Sequence, residues 1–167
     1  MTLYLLRHAI AVERGTPGYA RDSDRPLTAE GKAKMRKIAL GMKAIGVDVD
    51  LILSSPFLRS SETAEIVARV LGASAKLEYS PSLEAGGAPA ALIDELVGRR
   101  ESVNKVMLVG HEPYLGDLIS VLVAGKDGCA VTVKKGGLCK LDMTSLRYGR
   151  CATLEWLLTP RQLVKLA

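Results

Sequence analysis

The chain has two histidines, and both stand where a short apolar run ends. His8 follows Leu3-Tyr4-Leu5-Leu6, with Arg7 directly before it. His111 follows Val106-Met107-Leu108-Val109, within Gly110-His111-Glu112-Pro113. A third apolar run, Leu51-Ile52-Leu53, ends in Ser54-Ser55-Pro56 and leads to Arg59. Taken singly, each residue has a bland reading: a histidine at a strand end is more often hydrogen-bonded scaffold than catalyst, and an arginine near a helix start is more often a surface charge. Coincidence changes this. Both imidazoles and two guanidiniums fall at equivalent positions, and their convergence would build a cationic pocket with Glu112 the one carboxylate adjacent in these motifs. A guanidinium's planar fork grips phosphate oxygens in pairs, so the pocket reads as a phosphoryl site.

Other phosphate chemistries lack their sequence marks. There is no Gly-x-x-x-x-Gly-Lys loop, no Gly-x-Gly-x-x-Gly turn and no His-Glu-x-x-His, which argues against nucleotide-dependent phosphoryl transfer.

The elements that must position these groups follow from hydrophobic period. The three apolar runs show no polar alternation, as expected of strands covered on both faces in a parallel sheet. Between them lie apolar residues at helical spacing: Met35, Ile38, Met42 and Ile45; Ala64, Val67, Ala68 and Leu71; Leu92, Ile93, Leu96 and Val97; Leu115, Leu118, Ile119 and Leu122. Gly46 and Gly72 stand where helix-terminating glycines belong, and Pro113 where a first helical turn begins. A strand is expected at Lys76 to Tyr79 and a loop from Pro81 to Pro89. After Ala130 the pattern predicts short strands at Val131–Lys134, Leu138–Met143 and Ala152–Leu158, with a turn at Tyr148-Gly149. Strand and helix in alternation predict one α/β domain over residues 1–167, a three-layer α/β/α sandwich with a mostly parallel central sheet. Ligands of such sheets bind beyond the carboxyl ends of the strands, where His8, Arg59 and His111 arrive.

Composition bounds the rest. With 167 residues, 48% apolar and 25% charged, the chain can bury a sizeable core and is not disordered. Aromatics are only 4%, so Leu, Val, Ile and Ala must fill that core. No apolar stretch is long enough for a membrane helix, and the apolar start, broken by Arg7 and His8, makes a poor signal peptide. An odd number of cysteines, Cys129, Cys139 and Cys151, without a Cys-x-x-Cys pair, argues against a disulfide framework or a zinc site. Reduced thiols and a cytoplasmic location are expected. The net charge of +5 favours an anionic partner without naming it. The densest basic stretch, Lys32, Lys34, Arg36 and Lys37, lies in a helical pattern with no interleaved aromatics, and reads as a solvated face rather than a nucleic-acid site.

The motifs together resemble the histidine phosphatase superfamily, with its phosphoglycerate-mutase-like fold. Leu6-Arg7-His8-Ala9, Ser54-Ser55-Pro56 with Arg59 and Glu62-Thr63-Ala64, and Val109-Gly110-His111-Glu112-Pro113 carry the resemblance. Asp24-Arg25-Pro26-Leu27-Thr28, with Gly31 after it, is similar to the SixA-type branch, the protein phosphohistidine phosphatases. Most of the superfamily has Arg-His-Gly where this chain has Arg7-His8-Ala9, alanine being usual in the SixA-like branch. Larger members also carry a helical lid before the second histidine, for which this chain has little room, so an open site is expected.

The resemblance implies a covalent mechanism. His8 would be the nucleophile, forming a phosphohistidine that water hydrolyses. Arg7, Arg59 and His111 would hold the phosphoryl oxygens, with Arg25 a further substrate-binding candidate. Neither metal nor cofactor is implied, because side chains supply the positive charge. A glutamate after the third strand protonates the leaving oxygen in mutase and phosphatase relatives; Glu84 is the nearest candidate, and it reads equally as an exposed loop carboxylate. Loss of a general acid costs about 10²–10⁴-fold with a poor leaving group, and matters less for phosphohistidine, whose imidazole leaves readily. Three functions stand open: a phosphohistidine phosphatase acting on a phosphotransfer protein, a small-molecule phosphomonoesterase using the same residues, and a non-catalytic module that binds phosphorylated partners. Retention of His8 speaks against the last.

Overall fold

The apolar runs form neighbouring strands. The computed structural model describes residues 1–99, 103–126 and 128–167. Six strands, β1 (Thr2–Arg7), β2 (Leu51–Ser54), β3 (Leu77–Tyr79), β4 (Lys105–Gly110), β5 (Leu138–Asp142) and β6 (Thr153–Leu158), join in the order β3-β2-β4-β1-β5-β6. β1, β2, β3 and β4 pair in parallel; β5 runs antiparallel to β1 and β6 antiparallel to β5. β5 is therefore the one reversed strand, and the sheet is mostly parallel as expected.

Uninterrupted apolar runs are explained by two-sided cover. Tyr4, Leu6, Ile52, Met107 and Val109 face a layer of three helices, α1 (Ala29–Ala44), α2 (Leu58–Leu71) and α5 (Pro160–Lys165), represented by Met35, Ile38, Val67 and Leu163. Leu3, Leu5, Leu51, Leu53, Val106 and Leu108 face the other layer, where α3 (Pro89–Val97) and α4 (Tyr114–Ala124) contribute Leu92, Leu115 and Ile119. Successive strand side chains point to opposite faces, so every residue of such a run enters one core or the other. A fully buried Leu, Ile or Met contributes roughly 1.5–3 kcal/mol, and the inner strands supply several to each layer. Close approach of α5 to α1 depends on Gly41, where a Cβ would lie 1.9 Å from the Leu163 carbonyl oxygen.

Local details differ from the sequence reading in four places. Val131–Lys134 is not a strand, although Val133 is fully buried, because side chains satisfy its backbone. α2 begins at Leu58, a full turn before its apolar period becomes visible, and so contains Arg59. Pro113 is the cap residue before α4 rather than part of its first turn. α5 went unforeseen: six residues carry too little period, and it is the Thr159/Gln162 capping box that marks its start. Among the described residues no helix is long and apolar enough to cross a membrane.

Candidate active site

Sheet register brings the two histidines side by side. Arg7 of β1 pairs with Gly110 of β4, and the His8 N–H donates to the Gly110 carbonyl at 3.0 Å. Ser54 of β2 pairs with Val109, and the Ser55 N–H donates to the Val109 carbonyl at 2.9 Å. The ring centroids of His8 and His111 lie 5.3 Å apart, at the carboxyl edge of the central strands. α2 then delivers Arg59. These residues line a cavity of about 270 Å³ together with Arg7, Ala11, Arg14, Asp22, Arg25, Ala85, Glu112 and Lys135.

Each imidazole has an assigned proton. His8 Nδ1 lies 2.7 Å from the Ala9 carbonyl and donates to it, which leaves Nε2 with its lone pair; that atom accepts from Arg59 Nε at 3.3 Å. His111 Nε2 lies 2.9 Å from Ser55 Oγ and 3.4 Å from Ser60 Oγ. In the tautomer in which the Ser55 hydroxyl donates to His111 Nε2, the ring proton stands on Nδ1, a buried atom with no protein partner. Burial lowers the His8 pKa to about 3, with the nearby His111, Arg59 and Arg7 acting the same way. His111 is likewise held at about 3, chiefly by burial and then by the Arg59 charge. Both rings are neutral at ordinary pH.

The arginines are held from behind. Arg7 Nη1 donates to the Val133 carbonyl at 3.0 Å, while its Nε is buried and unpartnered. Arg59, only 3% exposed, stacks over Phe57 with its guanidinium carbon 5.2 Å from the ring centroid. Its Nη1 donates to the Asp22 carbonyl at 2.7 Å and its Nη2 to Asp22 Oδ2 at 2.9 Å. Arg25 donates through Nε and Nη2 to Asp22 Oδ1, at 3.0 and 2.8 Å, and Arg14 Nε donates to the same oxygen at 3.1 Å. Burial pushes the Asp22 carboxyl upward, but the Arg25 bonds and the Arg59 and Arg25 charges outweigh it and hold the pKa at about 2. Glu112 is raised by burial; its Oε1 accepts from the Val133 N–H at 2.6 Å and its Oε2 from the Gly116 N–H at 3.2 Å.

Five of the six residues singled out in the sequence therefore meet: His8, Arg7, Arg59, His111 and Arg25 line one cavity. Glu84 does not. It caps a short 3₁₀ turn, and its neighbour Ala85 is the residue of that loop that reaches the lining. α3 packs beside α4 on the sheet. Other motif residues turn out to be fasteners. Thr63 Oγ1 accepts from the Ala9 N–H at 3.1 Å and donates to the Arg59 carbonyl at 2.6 Å. Glu62 accepts from the Leu27 N–H and pairs with Lys32, both at 2.6 Å. Gly31 is required because a Cβ there would sit 2.0 Å from the Ile10 carbonyl oxygen. Asp22, Arg14 and Lys135 were missed. They lie on irregular segments with no period to mark them, although Asp22 stands beside the Asp24–Thr28 motif.

The lining thus combines five cations with two carboxylates whose oxygens are engaged, a nucleophilic nitrogen lone pair, and two unpartnered buried donors. Such a site can bind a tetrahedral dianion and take up a phosphoryl group. Comparison with known proteins points the same way. The family model of the histidine phosphatase superfamily (branch 1) matches residues 3–84. An uncharacterised protein of Picosynechococcus is 35% identical over 152 residues, covering 88% of each chain. Phosphohistidine phosphatase SixA of Escherichia coli is 29% identical over 163 residues, covering 96% of this chain and 94% of its own. A structure of the protein histidine phosphatase SixA complexed with tungstate superposes with a TM-score of 0.81 at 28% identity, covering 98% of this chain and 99% of that one.

Proposed function

Because this chain belongs to the histidine phosphatase superfamily and has its phosphoglycerate-mutase-like fold, we propose that it is a phosphatase that takes phosphoryl groups from phosphohistidine on a phosphotransfer protein, through a covalent phosphohistidine of its own. The observation that carries the substrate choice is the state of the cavity's carboxylates. Asp22 is held ionised by three arginines, and both Glu112 oxygens accept backbone N–H groups. Among the described lining residues neither carboxylate is free to protonate an alkoxide. An ester's leaving oxygen needs that proton, whereas an imidazole leaves without it.

The steps follow from the geometry. The neutral His8 Nε2 attacks phosphorus, its alignment kept by the Nδ1–H bond to the Ala9 carbonyl. Arg59 Nε turns from His8 to a phosphoryl oxygen. Arg7 Nε and His111 Nδ1, the two unpartnered buried nitrogens of the cavity lining, take others. Arg25 steadies Asp22 and adds charge at the rim. Water then cleaves the phosphoryl-His8 bond. Arginines supply the positive charge that metal ions bring to other phosphatases, so turnover is expected to survive a chelator. The similarity to a SixA structure holding tungstate, a tetrahedral oxyanion, supports this use of the cavity. A single domain built on the one six-stranded sheet accounts for the whole site. Three free thiols agree with a reducing compartment, the cytoplasm.

Purified protein mixed with a histidine-phosphorylated phosphotransfer domain, in the presence of EDTA, should release phosphate faster than with small phosphate esters. Brisk ester turnover with an inert phosphoprotein would point to a phosphomonoesterase instead. Phosphoprotein binding without covalent labelling would point to a binding module.

A further inference from the structure

Asp22 stands on the border between two spaces. It lines the phosphoryl cavity, and it also lines a groove of about 590 Å³ bounded by Arg14 to Ala20 and Arg25. One guanidinium bridges the border: Arg59 Nε faces His8 Nε2, and Arg59 Nη2 faces Asp22 Oδ2. A phosphoryl group lying against Arg59 and attacked by His8 directs its leaving group away from His8, since attacking and leaving atoms stand in line. The groove adjoins the phosphoryl cavity through their shared lining of Arg14, Asp22 and Arg25, and Asp22 is the acidic group of that border.

Position separates the cavity's two carboxylates. Glu112 lines the phosphoryl cavity alone, each of its oxygens tied to a backbone N–H. Asp22 lines the cavity and the groove; its Oδ1 is filled by Arg14 and Arg25, while Oδ2 accepts only from Arg59 and retains an acceptor position. The Asp22 side chain is 28% exposed, so that position can be reached from the groove. The charged groups facing it are Arg14 and Arg25 from its own loop and Arg59 from α2; Arg7, Lys135, Glu112 and the two neutral histidines complete the lining.

A phosphorylated imidazole leaves easily only when its other ring nitrogen carries a proton, because neutral imidazole rather than imidazolate then departs. The five cations of the lining would repel a protonated ring. We infer that Asp22 offsets this by accepting the hydrogen bond of that distal N–H, and that it thereby selects phosphoimidazole over phosphate-ester substrates. The assignment rests on the proposed function and deepens it. In the step itself the His8 Nε2 lone pair forms the new P–N bond. The substrate's P–N bond breaks with its electron pair remaining on the imidazole, which departs neutral with the distal proton it brought from solvent. Water then displaces His8 from phosphorus, giving inorganic phosphate. With its pKa held at about 2, the Asp22 carboxylate keeps its charge throughout.

The test compares Asp22→Asn with the unaltered protein on phosphoimidazole and on para-nitrophenyl phosphate, whose leaving group needs no proton. Asparagine removes the charge and keeps one of the two accepting oxygens, so both substrates lose whatever the looser arginines cost. Turnover of phosphoimidazole should fall roughly 10–100-fold further than that of the aryl ester, the scale of one charged hydrogen bond, with thermal unfolding of the variant reporting its folding. The alkaline limb of kcat on phosphoimidazole should move to lower pH, because loss of the carboxylate lowers the pKa of the bound ring. Equal losses on both substrates with an unmoved limb would overturn the assignment and leave Asp22 a clasp for arginines. Failure of the unaltered protein to turn over any N-phosphoryl substrate would overturn the functional reading itself, and this assignment with it.

Discussion

Glu112 and Arg7 are joined through a single residue: Glu112 Oε1 accepts from the Val133 N–H at 2.6 Å, and the Val133 carbonyl accepts from Arg7 Nη1 at 3.0 Å. This link explains why a segment without strand pairing keeps Val133 buried and holds its shape. It also fixes the guanidinium beside the nucleophile from the side opposite the substrate. Glu112→Ala strips acceptors from the Val133 and Gly116 N–H groups, at about 1–3 kcal/mol for each one left buried and unpaired. Arg7 loses its backing with them. Thermal unfolding should therefore come earlier, and KM for the phosphoprotein should rise. Glu112→Gln, which keeps one acceptor, should recover part of both.

Covalent chemistry on His8 is directly testable. Brief mixing with substrate and an alkaline quench should trap an acid-labile phosphoryl group on His8, and His8→Ala should abolish both adduct and turnover. His111→Ala removes a donor rather than the nucleophile. It should slow turnover by about 10²–10³-fold and still permit some labelling. A label on His111 would reverse the roles.

The pH dependence of stability follows from the same two rings. Each histidine falls from an ordinary 6.5 to about 3 on folding. Below pH 6.5 the unfolded chain therefore takes up protons that the folded protein refuses. Stability should drop as pH falls, by up to ~1.4 kcal/mol per pH unit for each histidine, until the folded-state value near 3 is reached. Asp22 adds a loss of the same sign only lower, between 3.8 and about 2. Unfolding midpoints measured from neutral pH down into this window should fall steadily, and a doubly substituted His8→Ala/His111→Ala protein should show a flatter slope. The rate, by contrast, should show no acid limb near pH 6.5, since the nucleophile is already neutral there.

Glu84 provides a contrasting expectation. It does not line the cavity, so Glu84→Gln should cost far less than the ~10²–10⁴-fold that removal of a general acid costs. A pH-rate profile that loses a limb in this variant would show that the glutamate reaches the substrate after all.

Thr63 is the fastener with the largest expected effect on the His8 loop. Its hydroxyl joins the Ala9 N–H to the Arg59 carbonyl, and Thr63 is fully buried. Thr63→Val should destabilise the fold by about 1–3 kcal/mol, because the Ala9 N–H is left unpaired. It should also lower kcat, as His8 and Arg59 lose their common tie. Chemical denaturation and steady-state kinetics on the same preparation would check both.

Much of the molecule could be read before any coordinates. Apolar runs without alternation required a two-sided sheet, because a strand such as Val106-Met107-Leu108-Val109 has no side chain suited to water. The placement of His8 and His111 beyond two such runs required them to share one sheet edge, and the chemistry of arginine and imidazole named the ligand class. These properties are local: period, strand length and functional-group chemistry belong to the residues themselves. Tertiary structure alone decided which strand lay beside which, and hence that Arg7 pairs with Gly110 and that the two rings face each other. It also converted Glu62, Thr63 and Gly31 from motif letters into fasteners, and left Val131–Lys134 irregular because a glutamate and an arginine satisfy its backbone. Asp22 depended on it most. Nothing in its neighbourhood of loop residues is periodic, and its meaning arises only where Arg59, 37 residues away, joins Arg14 and Arg25 of its own loop on one carboxylate. Long-range charge pairing leaves no local pattern, and so it becomes visible only in the folded chain.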